Sequence, residues 1–148
     1  MDGHSMIDGR DISTDGLPGR DAFAFWQDVI CDTFIHLDCA SQRSASFQGR
    51  LHRQPFGDLV LSSMESDPID LRRTKARISA SREEYCLIVV QGRGRTLAEQ
   101  DGRHVILQTG DIALFDAMRP YFAALETGFH HFVLKMPREA ASSPVHME

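Results

Sequence analysis

Seven histidines, three cysteines and a group of arginines are the residues here that could do chemistry, and their spacing decides which chemistry. A metal centre needs three or four ligands converging on one point. No two histidines stand one residue apart, so no strand offers an imidazole pair on one face. His130 and His131 are adjacent, and on a strand they point to opposite faces. His52 and His104 stand alone. Cys31, Cys39 and Cys86 lack CxxC spacing, and an odd count makes no disulfide framework. Cys86 lies in an apolar run and reads as a small buried hydrophobe. Gly92-Arg93-Gly94 has no helical pattern after it, so it lacks the helix N-terminus that phosphate binding needs. Nucleophile elbow, P-loop and dinucleotide fingerprints are missing too. Binding is therefore expected rather than catalysis, with no metal and no cofactor.

A small-ligand site is a largely apolar cavity with a few polar anchors. The strand-like run Glu84 to Gln91 offers two alternating sets. One is Tyr85, Leu87, Val89 and Gln91; the other is Cys86, Ile88 and Val90. Both sides of so apolar a strand can be buried, so the sequence leaves the choice open. The first set is preferred, because it carries a hydroxyl and an amide. Arg50, His52 and Arg72 are the next candidates, since they would offer charge to a carboxylate or polar ligand. Arg72, Arg73, Lys75, Arg77 and Arg82 fall close together. They read as a solvated strand end and loop, with an anion or partner site as the alternative. The net charge of −5 argues against a free-standing nucleic-acid binder, which must neutralise phosphates.

The elements that must position these residues are mostly strands. Met1 to Gly19 is rich in Asp, Gly and Ser and reads as a flexible arm. Asp21 is placed to cap a helix. Phe23, Trp26, Ile30, Phe34 and Leu37 then follow at spacings of three and four, which predicts an amphipathic helix over 21–37. Beyond it, about nine short strands are expected between residues 46 and 136, separated by turns at Pro55–Asp58, Asp101-Gly102, Gly110-Asp111 and Thr127-Gly128. Pro137 ends the last strand, and the tail over 141–148 is expected to be disordered. One helix followed by many short strands argues for a mainly β barrel or sandwich, here one domain over 20–140. No apolar run approaches the roughly 20 residues that span a bilayer, and Met1 to Arg20 lacks the apolar core of a secretory signal. No membrane partner is expected, and the location is expected to be cytoplasmic.

The stretch Asp101 to Asp116, with Asp101-Gly102, Leu107 and Gly110-Asp111, resembles the second half of a cupin barrel. The wider order is more telling. Phe25-Trp26 stands in the helix, then come Ile69 to Thr74 and the apolar strand entering Gln91-Gly92-Arg93-Gly94-Arg95. Gly110 to Asp116 leads into Arg119-Pro120-Tyr121, and Phe132 to Arg138 closes the set. In this order they resemble the N-terminal effector domain of AraC/XylS-type transcription regulators, over roughly Ala22 to Ala140.

The resemblance implies a cupin-like, jelly-roll barrel with the helix packed on it, binding a small-molecule effector inside. It implies contact with DNA only through a C-terminal helix-turn-helix part, which is expected to be absent because Ser142 to Val145 carries no helical period. The dimerising helices that often follow such barrels are missing too, so a weak homodimer is the most that is expected. Enzymatic cupins hold a metal with HxH, Glu and a later His; the segment near Arg119-Pro120-Tyr121 holds none. The alternatives are a stand-alone cupin, acting as a metal-dependent enzyme or as an interaction module whose interior is filled by its own side chains.

Overall fold

A computed structural model describes residues 9–82 and 84–141. Its eleven strands and three helices, among the described residues, run β1 Arg10–Ser13, α1 Gly19–Thr33, β2 Asp38–Ala40, β3 Gly49–Phe56, β4 Leu59–Ser66, β5 Ile69–Arg73, α2 Lys75–Ser79, β6 Tyr85–Arg93, β7 Thr96–Gln100, β8 Arg103–Leu107, β9 Ile112–Asp116, β10 Tyr121–Leu125, β11 His130–Pro137 and α3 Arg138–Ala141. They form two sheets, ordered β1-β3-β4-β11-β6-β9 and β2-β5-β10-β7-β8. Every pairing is antiparallel. This is a cupin-like jelly roll with the two sheets face to face. The sheets are not hydrogen-bonded into a closed barrel, so the interior is the space between two inner faces.

Period-two alternation builds that interior. β6 turns Leu87, Val89 and Gln91 inward, β10 turns Tyr121, Ala123 and Leu125, and β5 turns Ile69, Leu71 and Arg73. The hairpin between β7 and β8 turns at Asp101 and Gly102, both at positive φ (57° and 75°). A two-residue turn of that kind follows the right-handed twist of its strands, which is why Asp-Gly marks it in the sequence.

The helix is shorter than its spacing predicts. α1 ends at Thr33, with Phe34 as its C-cap. Ala22, Trp26, Val29, Ile30 and Thr33 form its buried face. Phe34, Ile35 and Leu37 are also buried, but they belong to the connection to β2. The three-and-four spacing continues past the helix because the same apolar side chains enter the interior from the non-helical connection that follows it. Asp21 is not the cap; Pro18 holds that position and Asp21 lies in the first turn, where a carboxylate still meets the positive end of the helix. The helix sits close against β3. A methyl group at Gly49 would stand 2.8 Å from the Trp26 indole, so only glycine admits that approach.

The arm expected over 1–19 also needs correction. Arg10 to Ser13 pair with Arg53 to Arg50 of β3, and Ile12 is buried in the core. Residues 1–8 and the tail 142–148 lie outside the described residues. No helix among the described residues is long and apolar enough to cross a membrane.

Candidate functional site

The space between the sheets is lined by Phe34, Leu37, Met64, Leu71, Leu87, Val89, Thr96, Phe115, Tyr121, Ala123, Leu125, His131 and Val133. The lining combines inward positions of both sheets with Phe34 and Leu37 from the segment after α1. No charged side chain takes part. The cavity volume is about 40 Å³, well short of the ~300–1,000 Å³ of ordinary small-molecule sites.

A polar cluster marks one part of this space. His131 Nε2 lies 2.9 Å from Gln91 Oε1 and 2.8 Å from Thr96 Oγ1. The Gln91 amide nitrogen donates to the Arg93 carbonyl at 2.9 Å, which turns Oε1 toward the imidazole as an acceptor. His131 Nε2 must then carry the hydrogen, and its Nδ1 keeps a lone pair. Thr96 Oγ1 shares the Nε2 hydrogen, so its own O–H is left to donate elsewhere. Burial, with His130 as neighbour, lowers the His131 pKa to about 4. At neutral pH the cluster is therefore uncharged, with His131 and Thr96 set in an otherwise apolar lining.

Tyr121 stands elsewhere in the lining. Its ring packs on Phe115 at 4.8 Å, and burial pushes its phenol up, with Arg73 opposing. Arg73 is buried, donating through Nε to the Ala117 carbonyl and through Nη1 to the His36 carbonyl, both at 2.9 Å. Tyr121 also lines an outer cleft of about 350 Å³ with Arg72, Glu99, Gln100 and Phe122. It thus separates the interior from an opening at the surface.

The structure divides the candidates from the sequence. Leu87 and Val89 line the interior, and Gln91 orients His131 from behind. Tyr85 shares their face but lies at the end of the row, with the Lys135 ammonium 4.2 Å from its ring centroid. Arg50, His52 and Arg72 point outward. Arg50 lines an outer cleft with Glu65 and Arg93. His52 Nδ1 meets Asp11 at 2.6 Å on the surface. The Arg72 guanidinium lies 4.6 Å from the Phe122 ring centroid on the outer side of its sheet. Their inward placement is corrected by strand parity, because His52 alternates with buried Leu51 and Arg72 with buried Leu71.

The residues that sequence reasoning missed are His131, Thr96, Tyr121 and the buried Arg53 and Arg73. Arg53 donates to Thr33 Oγ1 at 2.6 Å and stands 3.2 Å from Asp32, tying β3 to the last turn of α1. Parity was the available signal, since Arg53 shares the face of Leu51 and Arg73 that of Leu71. Arg73 also leaves the solvated cluster in which the sequence put it. Cys31 and Cys39 both approach the Leu37 carbonyl, and burial, then Cys31 and Asp38, pushes the Cys39 thiol up to about 12, which leaves it inert. Among the described residues no three His, Cys, Asp or Glu side chains converge as metal ligands.

Known proteins share this fold. A family described as the AraC-binding-like domain matches residues 26–147. An uncharacterized protein in the nit 5' region of Bacillus sp. (strain OxB-1) is 32% identical over 127 residues, covering 86% of this chain and 49% of that protein. The transcriptional activator NphR of Rhodococcus sp. is 30% identical over 119 residues, covering 80% of this chain and 36% of that one. The crystal structure of the AraC-like transcriptional activator CuxR superposes with a TM-score of 0.76 at 18% identity, over 89% of this chain and 48% of that one. The chain spans half or less of the length of these relatives. With a match over most of its length and the jelly roll that the match requires, the chain belongs to the family of AraC-binding-like domains.

Proposed function

We propose that this domain is the sensing part of an AraC-type transcription regulator and that it takes a small, uncharged organic effector between its sheets. The observation that carries the reading is the uncharged Gln91–His131–Thr96 cluster set into an otherwise apolar interior. The effector that fits has an apolar body and one polar head that both accepts and donates a hydrogen bond. A carboxylate is disfavoured, because the arginine candidates Arg50 and Arg72 point away and Arg73 is held by two carbonyls. DNA binding belongs to another part of the longer regulator, and a cytoplasmic location goes with that role. No catalytic step is assigned to this chain.

The small cavity volume makes binding a matter of displacement. Phe34 and Leu37 fill the interior from the segment that follows α1. An effector that takes their place moves that segment, and with it the helix. The bound and empty states then differ in where α1 sits, and the effector shifts the balance by its differential affinity.

A thermal-shift panel of small neutral aromatic and aliphatic alcohols, amides and phenols tests this. A true ligand at 100 times its dissociation constant stabilises by about 2.7 kcal/mol. Thr96→Val, which keeps shape and removes the hydroxyl, should weaken that ligand about tenfold or more. The tight interior also favours a second reading, an interaction module filled by its own side chains. A panel without any stabilising compound, repeated on a variant with Phe34 truncated, would favour that reading over the first.

A further inference from the structure

β4 carries a buried hydroxyl that the fold itself does not use. Among the described residues the buried serines and threonines are Thr14, Thr33, Ser62 and Thr96. The threonines are all bonded: Thr14 accepts from the Gly49 amide, Thr33 accepts from Arg53, and Thr96 meets His131. Ser62 is 2% exposed, and its Oγ has no hydrogen-bond partner. A hydroxyl buried in this way costs stability, and native folds keep few of them. The next residue, Ser63, takes the other face and bonds His130 at 2.7 Å outside.

Ser62 belongs to the inward row of β4. Met64, two residues on, lines the interior, and so does Val133, the direct partner of Ser62 on β11. His131 precedes Val133 by two residues and stands opposite Met64, so Ser62 and His131 are diagonal neighbours on one face. Such neighbours stand about 7–8 Å apart. On its other side Ser62 pairs with Arg53, which donates to Thr33 at the end of α1. Phe34 is the next residue along and lines the interior.

We propose that Ser62 is a second anchor of the interior and that the effector is two-headed, a neutral molecule with a polar group at each end of an apolar body. One head takes the His131–Thr96 side, and the other takes the Ser62 hydroxyl, about 7–8 Å away. Displacing Phe34, which follows the Thr33–Arg53 contact, opens the way to Ser62. The ligand then supplies the hydrogen bond that the empty fold lacks, and a buried group left unpaired gains more from a partner than one already bonded. The inference rests on the effector reading and adds to it the class of ligand.

Two measurements test it. The first is thermal unfolding of the empty chain. Ser62→Ala removes an unpaired hydroxyl and little volume, so it should raise Tm by about 2–5 °C. An unchanged or lowered Tm would mean that the hydroxyl has a partner in the empty fold, and overturns the proposal. The second is concentration-dependent thermal shift with two neutral alcohols, on the unmodified chain and on Phe34→Ala, whose interior is opened. One probe is trans-cyclohexane-dimethanol, with a hydroxymethyl group at each of two opposite ring corners; the other is cyclohexylmethanol, with a single such group. The diol should bind about tenfold more tightly than the mono-alcohol. Ser62→Ala should erase that preference, and the outward Ser63→Ala should keep it. Equal binding of the two alcohols, or a preference that survives Ser62→Ala, overturns the proposal and leaves a one-headed effector in place. Binding of neither alcohol to the opened interior overturns the proposal and counts against the effector reading as well.

Discussion

Replacing His131 by glutamine should remove a large part of the acid sensitivity of this fold. The imidazole titrates near 6.5 in an unfolded chain and at about 4 in the folded one, because burial disfavours its charged form. Between these values the unfolded state binds the proton that the folded state refuses, so stability falls as the pH drops from about 6.5 to 4. Taken from pH 7.5 to 4.5, this one group removes about 2.5 kcal/mol. For a domain of this size that is a fall of about 5–10 °C in Tm. Other groups titrate over the same range, so the quantity to read is the difference between the two proteins. The assay is thermal unfolding of both at closely spaced pH values from 4 to 8. Glutamine retains a donor for Gln91 and Thr96 and cannot ionise, so its Tm should change less by that amount. Equal pH slopes for both proteins would refute the burial and neutrality of His131, and with them the uncharged site.

Three further outcomes follow from packing. Phe34→Ala should cost about 3–5 kcal/mol, and a small apolar compound such as indole should restore part of it, read by thermal shift, because the truncation opens the interior it fills. Gly49→Ala should cost about 1–3 kcal/mol through overpacking, as its methyl would meet the Trp26 indole at 2.8 Å; denaturant unfolding measures it. Thr33→Val should cost about 1–3 kcal/mol in the same assay, since it takes one acceptor from the buried Arg53 guanidinium.

The fold was legible where local chemistry and tertiary packing agree. Asp101-Gly102 marks its hairpin because both residues tolerate positive φ there, and the run from Tyr85 is a strand paired on both sides, though next to the edge of its sheet rather than at its centre. The helix end was not legible, because Phe34 and Leu37 keep helical spacing while serving the interior from the connection to β2. Arg10 to Ser13 carry the polar composition of a loose arm, and only pairing with β3 orders them. Leu87, Val89 and Gln91 share the inward face of β6, the set preferred from the sequence because it carried polar groups. Arg50, His52 and Arg72 were placed by charge rather than by parity with Leu51 and Leu71, and parity decides which face a side chain takes. His131 was discounted as one of an adjacent pair. Adjacency does send the two to opposite faces, and it leaves His131 inside while His130 bonds Ser63 at 2.7 Å outside. The second set, Cys86, Ile88 and Val90, takes the outer face, where Cys86 is buried and Ile88 and Val90 are half-buried, so both sides of this strand are apolar and composition could not choose between them.

The most direct test of the central claim is a methyl-resolved NMR titration with the strongest compound from the thermal-shift panel. A ligand seated between the sheets should first shift the methyl groups of Leu87, Val89, Leu125 and Val133, together with the Thr96 methyl, and then the Ile30 and Ile35 methyls as the end of α1 moves. Shifts confined to the outer clefts around Arg50 or Arg72, with the interior methyls unmoved at saturation, would contradict an effector site between the sheets.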